Sequence, residues 1–239
     1  MSLLQKIIRK FNYPIDQNWE LIYAKTWDDT RKGIDWMNNV SSVSPGRYAV
    51  GYNYLYVMTR ILNEFCPHHV LDIGLGISST LISAYFTAQN YNDGKHTIIE
   101  HDINWKEFYT RNHSLSDASE IVIANCIKKT MNNIEYNAYE NFKDLINTRG
   151  GYSVISVDAP KGGFSKYSRR DILDIIPESL ERSFVIVVDD TERDGEKNTI
   201  TDIEAILKNN HIEYCKGEYL GCSHCSVIAS DDNKFFCTL

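Results

Sequence analysis

The 239-residue sequence has no apolar run long enough to cross a bilayer and no signal-peptide-like hydrophobic segment near its N-terminus. The expectation is a chain without stable membrane insertion, in the cytoplasm. Basic residues are also in short supply. The 25 Lys and Arg against 32 Asp and Glu leave a formal net charge of −7, the wrong sign for non-specific nucleic-acid binding. There is no internal repeat and no low-complexity segment. A hydrophobic content of 43%, with 15 Tyr and 4 Trp, suits a single folded core with aromatic area to spare. Six cysteines in a chain of this length, without a secretion signal, read as free thiols rather than a disulfide framework. Cys222 and Cys225 have C-x-x-C spacing beside Cys215 and His224, but a second such pair is missing. Thiols packed in a terminal hairpin are the favoured reading, with a zinc site as the alternative.

What is present centres on His69-Val70-Leu71-Asp72-Ile73-Gly74-Leu75-Gly76-Ile77-Ser78-Ser79-Thr80. Val70, Leu71 and Ile73 suit a buried parallel strand, and Gly74 and Gly76 permit a tight turn and close approach by a ligand. Ser78-Ser79-Thr80 can cap the helix that follows. The third glycine of a dinucleotide fingerprint is replaced by Ser79, which weakens a pyrophosphate reading. Next, His96-Thr97-Ile98-Ile99-Glu100 reads as a second strand ending on an acid, 26 positions after Gly74. In doubly wound folds a carboxylate there accepts the hydroxyls of an adenosine ribose, so Glu100 is the candidate ribose residue.

Upstream, Leu3, Leu4, Ile7, Ile8 and Phe11 have helical spacing, and Pro14 is expected to end that helix. Interrupted helical spacing follows to Val40, then a loop at Ser41 to Gly46. Residues 1–50 read as an N-terminal helical cap and 51–239 as one α/β unit. Tyr48, Tyr52, Tyr54 and Tyr56 either line a pocket or pack where cap meets core. Downstream, strands are expected at Ile121–Ala124, Tyr152–Asp158 and Ser183–Asp190, and helices at Trp105–Asn112, Tyr139–Asn147, Arg170–Ile176 and Ile200–Leu207. Two short strands around 212–219 and 224–229 form an antiparallel hairpin. The alternation predicts an α/β fold with a doubly wound, mostly parallel seven-stranded sheet whose ligands bind beyond the carboxyl ends of the strands.

Asp158, Asp189 and Asp190 converge if their strands are neighbours. Unpaired carboxylates at short range repel, and a hard divalent cation, Mg²⁺ above all, would resolve the repulsion. Such an ion could bind a substrate hydroxyl and lower its pKa. Lys161, in the loop after Asp158, could act as general base. The plainer reading makes Lys161 a solvated loop cation and the paired acids a helix cap and turn. Arg169, Arg170 and Arg193 read as helix-face cations, or as partners of an acceptor's carboxylate or phosphate.

Val70 to Gly76, Ile98-Ile99-Glu100, Val157-Asp158 and the terminal hairpin together resemble the class I S-adenosylmethionine-dependent methyltransferases, over roughly residues 65–230. Within that superfamily the chain is most similar to metal-dependent O-methyltransferases of the catechol and macrolide-sugar type. The resemblance implies S-adenosylmethionine as cofactor, held by Asp72, Gly74, Gly76, Ser78, Glu100 and Asn125. It implies Asp158, Asp189 and Asp190 as Mg²⁺ ligands, Lys161 and Asp158 as catalytic residues, and a hydroxyl acceptor on a small molecule, a sugar or a glycan precursor. The loop Asp158-Ala159-Pro160-Lys161-Gly162-Gly163 departs from both groups and is similar to the Asp-x-Pro-x-Gly turn of plant glucuronoxylan methyltransferases. Three alternatives stay open: a metal-free methyltransferase with Asp158 or His101 as base, an NAD-dependent oxidoreductase, and a non-catalytic cofactor-binding domain. A homo-oligomer also stays open.

Overall fold

The computed structural model describes residues 3–39, 50–147, 151–163 and 165–239, in side-chain detail from residue 15 onward. The loop expected at 41–46 and Tyr48 lie outside these residues. In chain order the elements are α1 (Leu3–Arg31), α2 (Tyr52–Phe65), β1 (His69–Ile73), α3 (Ile77–Gln89), β2 (Lys95–Glu100), α4 (Ile103–Asn112) and β3 (Ser119–Ile123). There follow β4 (Cys126–Met131), β5 (Ile134–Tyr139), α5 (Phe142–Asn147), β6 (Tyr152–Val157), β7 (Leu180–Val188), α6 (Asp194–Asn209), β8 (Tyr214–Tyr219) and β9 (Cys225–Ser230).

Seven strands form one sheet in the order β3-β2-β1-β6-β7-β9-β8. The first five run parallel, and β9 lies antiparallel between β7 and β8. This is the doubly wound sheet and terminal hairpin that the alternation predicts. Period-two alternation sends Val70, Val154, Val185 and Val187 to one face and Leu71, Ile73, Ile155, Val157, Ile186 and Val188 to the other. α2 and α3 cover the first face, and α5 and α6 the second. α2 is apolar nearly all round because it is a middle layer: Tyr54, Leu55, Val57, Met58, Ile61 and Leu62 are fully buried between the sheet and the N-terminal segment. Each such aliphatic side chain contributes about 1.5–3 kcal/mol relative to exposure. Tyr54 and Tyr56 therefore pack where cap meets core.

Trp27, Ile34, Trp36 and Met37 of the N-terminal segment join this same cluster, and the Trp27 indole donates to Thr59 Oγ1 at 2.9 Å. One carboxylate ties the layers together. Glu20 accepts from the Tyr52 backbone N–H (2.7 Å) at the start of α2 and from the Cys222 N–H (3.1 Å) in the β8–β9 turn.

Three expectations are corrected. α1 runs through Pro14, which removes one backbone hydrogen bond without ending the helix. Arg170–Asp174 is a 3-10 turn rather than a helix reaching Pro177. Between β3 and α5 stands an unexpected antiparallel hairpin, β4–β5, closed by Asn132-Asn133 with both residues at positive φ (50 and 61°). Its second strand ends on Tyr139, so the helix read from Tyr139 to Asn147 begins at Phe142 instead. The hairpin braces the segment after β6: Asn137 donates to the Lys161 carbonyl (2.6 Å), Ser165 to the Glu135 carbonyl (2.9 Å), and Asn132 to the Tyr167 hydroxyl (2.9 Å).

Candidate active site

The turn after β1 is built around a buried carboxylate. Asp72 accepts from Ser79 Oγ (2.5 Å), Ser156 Oγ (2.6 Å) and, at longer range, Ser78 Oγ (3.4 Å), so three hydroxyls from α3 and β6 fix the strand end. The Tyr54 hydroxyl in turn lies 2.5 Å from Ser156 Oγ, linking α2 to the same network. Asp72 and Ser78 thus lie beneath the turn, each satisfied by the protein itself. Gly74 has φ +124°, and a Cβ there would meet the Ala159 Cβ at 3.0 Å, so both conformation and space demand glycine. Gly76 differs. Its backbone is extended, at φ −166°, and a Cβ would meet nothing within 4 Å. The gap at the N-terminus of α3 is where a ligand's backbone-hugging end can sit.

Glu100 stands beside this gap at the end of β2. Its Oε1 accepts from the backbone N–H groups of His101 (2.6 Å) and Asp102 (2.7 Å), and its Oε2 from that of Leu75 (3.3 Å). The carboxylate therefore clamps the glycine turn to the second strand. Burial pushes its pKa up, but hydrogen bonds from the His101 ring and from two backbone amides outweigh that, and the group is held below its ordinary value. His101 Nδ1 lies 3.1 Å from Oε1, and that bond raises the His101 pKa; the ring is a partner of Glu100 rather than a free base. Asn125 is not brought to this clamp. It is exposed, and its amide donates to Glu140 (3.2 Å), because the chain turns there into β4.

Parallel pairing of β6 with β7 sets Val157 against Val188 and so delivers Asp158, Asp189 and Asp190 to one place, where an oxygen of each lies within 4.8 Å of the others. A cation of the protein's own sits among them. Arg169 is 2% exposed; its Nη2 donates to Asp158 Oδ1 (3.0 Å) and to Asp190 Oδ2, and its Nη1 to the carbonyls of Asp189 (2.6 Å) and Val157 (3.3 Å). Arg193 Nη2 lies 2.6 Å from Asp190 Oδ1, which also accepts from Ser223 Oγ (3.1 Å). Ser223 is shared with Asp189 (3.0 Å), so the β8–β9 turn folds over the acids.

The expectation that Arg169 lies on a helix face is corrected: it sits in the left-handed region at φ 52°, just before the 3-10 turn, and points inward. Arg170 is largely covered as well, lying over the Tyr167 ring (5.4 Å) and paired with Asp202 (2.5 Å). Lys161 is exposed, with no carboxylate partner among the described residues; its backbone carbonyl, not its ammonium, is what the hairpin holds. Cys215, Cys222, His224 and Cys225 form no donor cluster among the described residues. Cys225 enters β9 facing the core while Cys222 stays exposed in the turn.

As a site for a divalent ion the trio fits poorly. Both Asp190 oxygens are bound to arginines, one Asp158 oxygen is bound to Arg169, and a metal on those same oxygens at about 2.0–2.6 Å would lie against a guanidinium. What the arginines leave is the Asp189 carboxylate and one oxygen of Asp158. The Asp158 side chain is 32% exposed, although one of its oxygens is held inside the cluster by Arg169. Burial pushes its pKa up to about 6; Arg169 pulls it down, and Asp190 and Asp72 raise it. Asp189 is pushed well up by burial and by Asp158 and Asp190.

A stability prediction follows from these acids. Asp171, outside the cluster, is also raised by burial to about 6, with one oxygen accepting from the Tyr139 N–H (3.0 Å) and the other unpartnered. A carboxyl with a raised folded-state pKa binds its proton more tightly folded than unfolded. The stability it contributes is full below about pH 4 and is lost as pH rises through about 6. The melting temperature is expected to fall between pH 4.5 and 7, and the fall to shrink in Asp171→Asn. A melting temperature that rises with pH over this window would contradict the assignment.

Sheet order, a glycine turn after the first strand, an acid ending the second and an antiparallel last pair are together the Rossmann-like fold of the class I methyltransferases. No protein-family model matches the sequence, and no curated protein matches it. Solved structures do. A Klebsiella pneumoniae protein named as an O-methyltransferase superposes with a TM-score of 0.59 at 12% identity, covering 90% of this chain and 99% of its own. A Bacillus cereus O-methyltransferase in complex with S-adenosylhomocysteine gives 0.52 at 10% identity, over 94% and 97% of the two chains. An S-adenosylhomocysteine-bound methyltransferase of Podospora anserina gives 0.51 at 12%, over 88% of each. At these identities the likeness is one of fold.

Proposed function

We infer that the protein is an S-adenosylmethionine-dependent O-methyltransferase acting on a hydroxyl of a small molecule, a sugar or a glycan precursor in character. The observation that carries this reading is the clamp of Glu100 on the glycine turn beside the open space at Gly76. It offers a carboxylate for ribose hydroxyls and backbone amides at the N-terminus of α3 for a ligand carboxylate. The S-adenosylhomocysteine-bound neighbours support it. Six cysteines, all free, suit a reducing compartment such as the cytoplasm.

When bound, S-adenosylmethionine supplies an electrophilic methyl group. The chain's own residues do the rest. Asp158, partly exposed and with one oxygen free of arginine, accepts the proton of the acceptor hydroxyl. Arg169 holds it in place, and the α1 segment and β8–β9 turn limit water at the carboxyl ends of β6 and β7. A sugar suits this site better than a flat aromatic acceptor, because the groups beside the acids, Ser223 and the partly exposed Arg193, are hydrogen-bonding ones. The Mg²⁺ implied by the family resemblance would have only Asp189 and one oxygen of Asp158 to hold it, and no step here is given to it.

The testing experiment is a calorimetric titration with S-adenosylhomocysteine. Saturable one-to-one binding is expected; no binding at millimolar ligand would refute the reading.

A further inference from the structure

We propose that Arg169 is the resident cation of the carboxylate cluster, a positioning residue whose guanidinium takes the place of a divalent metal, so that the site works metal-free.

The geometry is that of a coordination site filled by a side chain. Four of the five guanidinium N–H donors are used, and they point to oxygens from both strand ends: the Val157 and Asp189 carbonyls and the carboxylates of Asp158 and Asp190. The fifth, on Nε, faces Glu196 Oε1 at 3.7 Å, and Glu196 is itself held by Ser168 Oγ (2.9 Å). A hard cation would seek the same oxygens. The guanidinium does so at van der Waals size, cannot be deprotonated and cannot dissociate.

The backbone commits residues to this arrangement. Arg169 (φ 52°) and Asp190 (φ 61°) both occupy the left-handed region, where non-glycine residues are uncommon, and the two strained residues bond to each other. Arg193 then takes the second Asp190 oxygen. Asp190 is thereby committed to arginines, and Asp158 is anchored through one oxygen while its side chain stays 32% exposed. The remaining charge is one that no metal is needed to organise, because Arg169 fixes Asp158 relative to β7 directly.

This inference concerns the site of the proposed methyl transfer, but its measurement stands apart from that reading. Wild-type protein is titrated with Mn²⁺ while the free-ion electron paramagnetic resonance signal is followed, and the same preparation is titrated with S-adenosylhomocysteine. The expected result is no Mn²⁺ binding tighter than about 1 mM, the affinity range of unspecific carboxylate contacts, and a melting temperature unmoved by chelator. Micromolar Mn²⁺ binding that disappears in Asp189→Asn would overturn the proposal. In Arg169→Met, carboxylates stripped of their cation should lose thermal stability and gain Mn²⁺ affinity on the order of tenfold or more, since like charges are left unpaired. A folded Arg169→Met with unchanged stability and no gain in Mn²⁺ affinity would also overturn it. If that variant does not fold, the wild-type titration decides alone. Failure to bind S-adenosylhomocysteine would remove the methyltransferase reading while leaving the metal result intact.

Discussion

Gly76→Asp is expected to fold as well as the wild type and to lose S-adenosylhomocysteine binding by 100-fold or more, roughly 3 kcal/mol on the affinity scale. The reason lies in the contrast between the two glycines of the turn. At Gly76 the backbone is extended and open space stands where a side chain would go, so a larger residue strains nothing. Aspartate is also a favoured helix N-cap, and Gly76 is the N-cap of α3. The new carboxylate would fill the gap beside the Glu100 clamp and place a negative charge where the ligand's own carboxylate would approach the α3 amides. Gly74→Ala is the control with the opposite signature. A residue at φ +124° with Ala159 at 3.0 Å should lower the melting temperature by several degrees, about 1–3 kcal/mol of backbone strain and crowding. Calorimetry and thermal melts on the two variants separate the roles. Undiminished binding in Gly76→Asp would show that the cofactor does not use this turn.

The sheet was legible because parallel strands buried on both faces read as short apolar runs, and all of these but β3 end on a glycine turn or an acid. That also located Asp72, Glu100, Asp158 and the Asp189-Asp190 pair, since strand ends on one edge of a parallel sheet must meet. What stayed hidden depends on geometry that spacing does not encode. Arg169 lies eleven positions after Asp158, and only a left-handed backbone turns it inward; as a letter beside Arg170 it resembles a surface cation. The signal available was electrostatic: three acids at adjoining strand ends require a cation, and the nearest arginines in sequence were candidates as strong as any ion. The β4–β5 hairpin had a signal too, Asn132-Asn133 between alternating residues, a pair that accepts positive φ at both positions.

Asp158→Asn is expected to reduce methyl transfer to a hydroxyl acceptor by about 10²–10⁴-fold, the range for loss of a general base, while S-adenosylhomocysteine binding stays within about twofold. Asparagine keeps an oxygen for the Arg169 Nη2 bond, so the cluster retains its shape, but it cannot take the acceptor's proton. Lys161→Ala supplies the comparison: an exposed ammonium without a carboxylate partner among the described residues should cost less than about tenfold, whereas a larger loss there with a small one at Asp158 would make Lys161 the base. The pH profile separates a base from a merely structural acid. Burial pushes Asp158 up to about 6, and the Asp158 charge in turn helps hold the buried Asp189 well above the usual carboxylate range. In the wild type kcat/KM should therefore rise from pH 5 to 7 with a midpoint near 6 that belongs to the pair rather than to one residue. Removing Asp158 relieves Asp189 of its nearest like charge, so in Asp158→Asn the residual activity should lose that inflection or move it to lower pH. A profile unchanged in shape but lower in amplitude would mean that the proton leaves by another group.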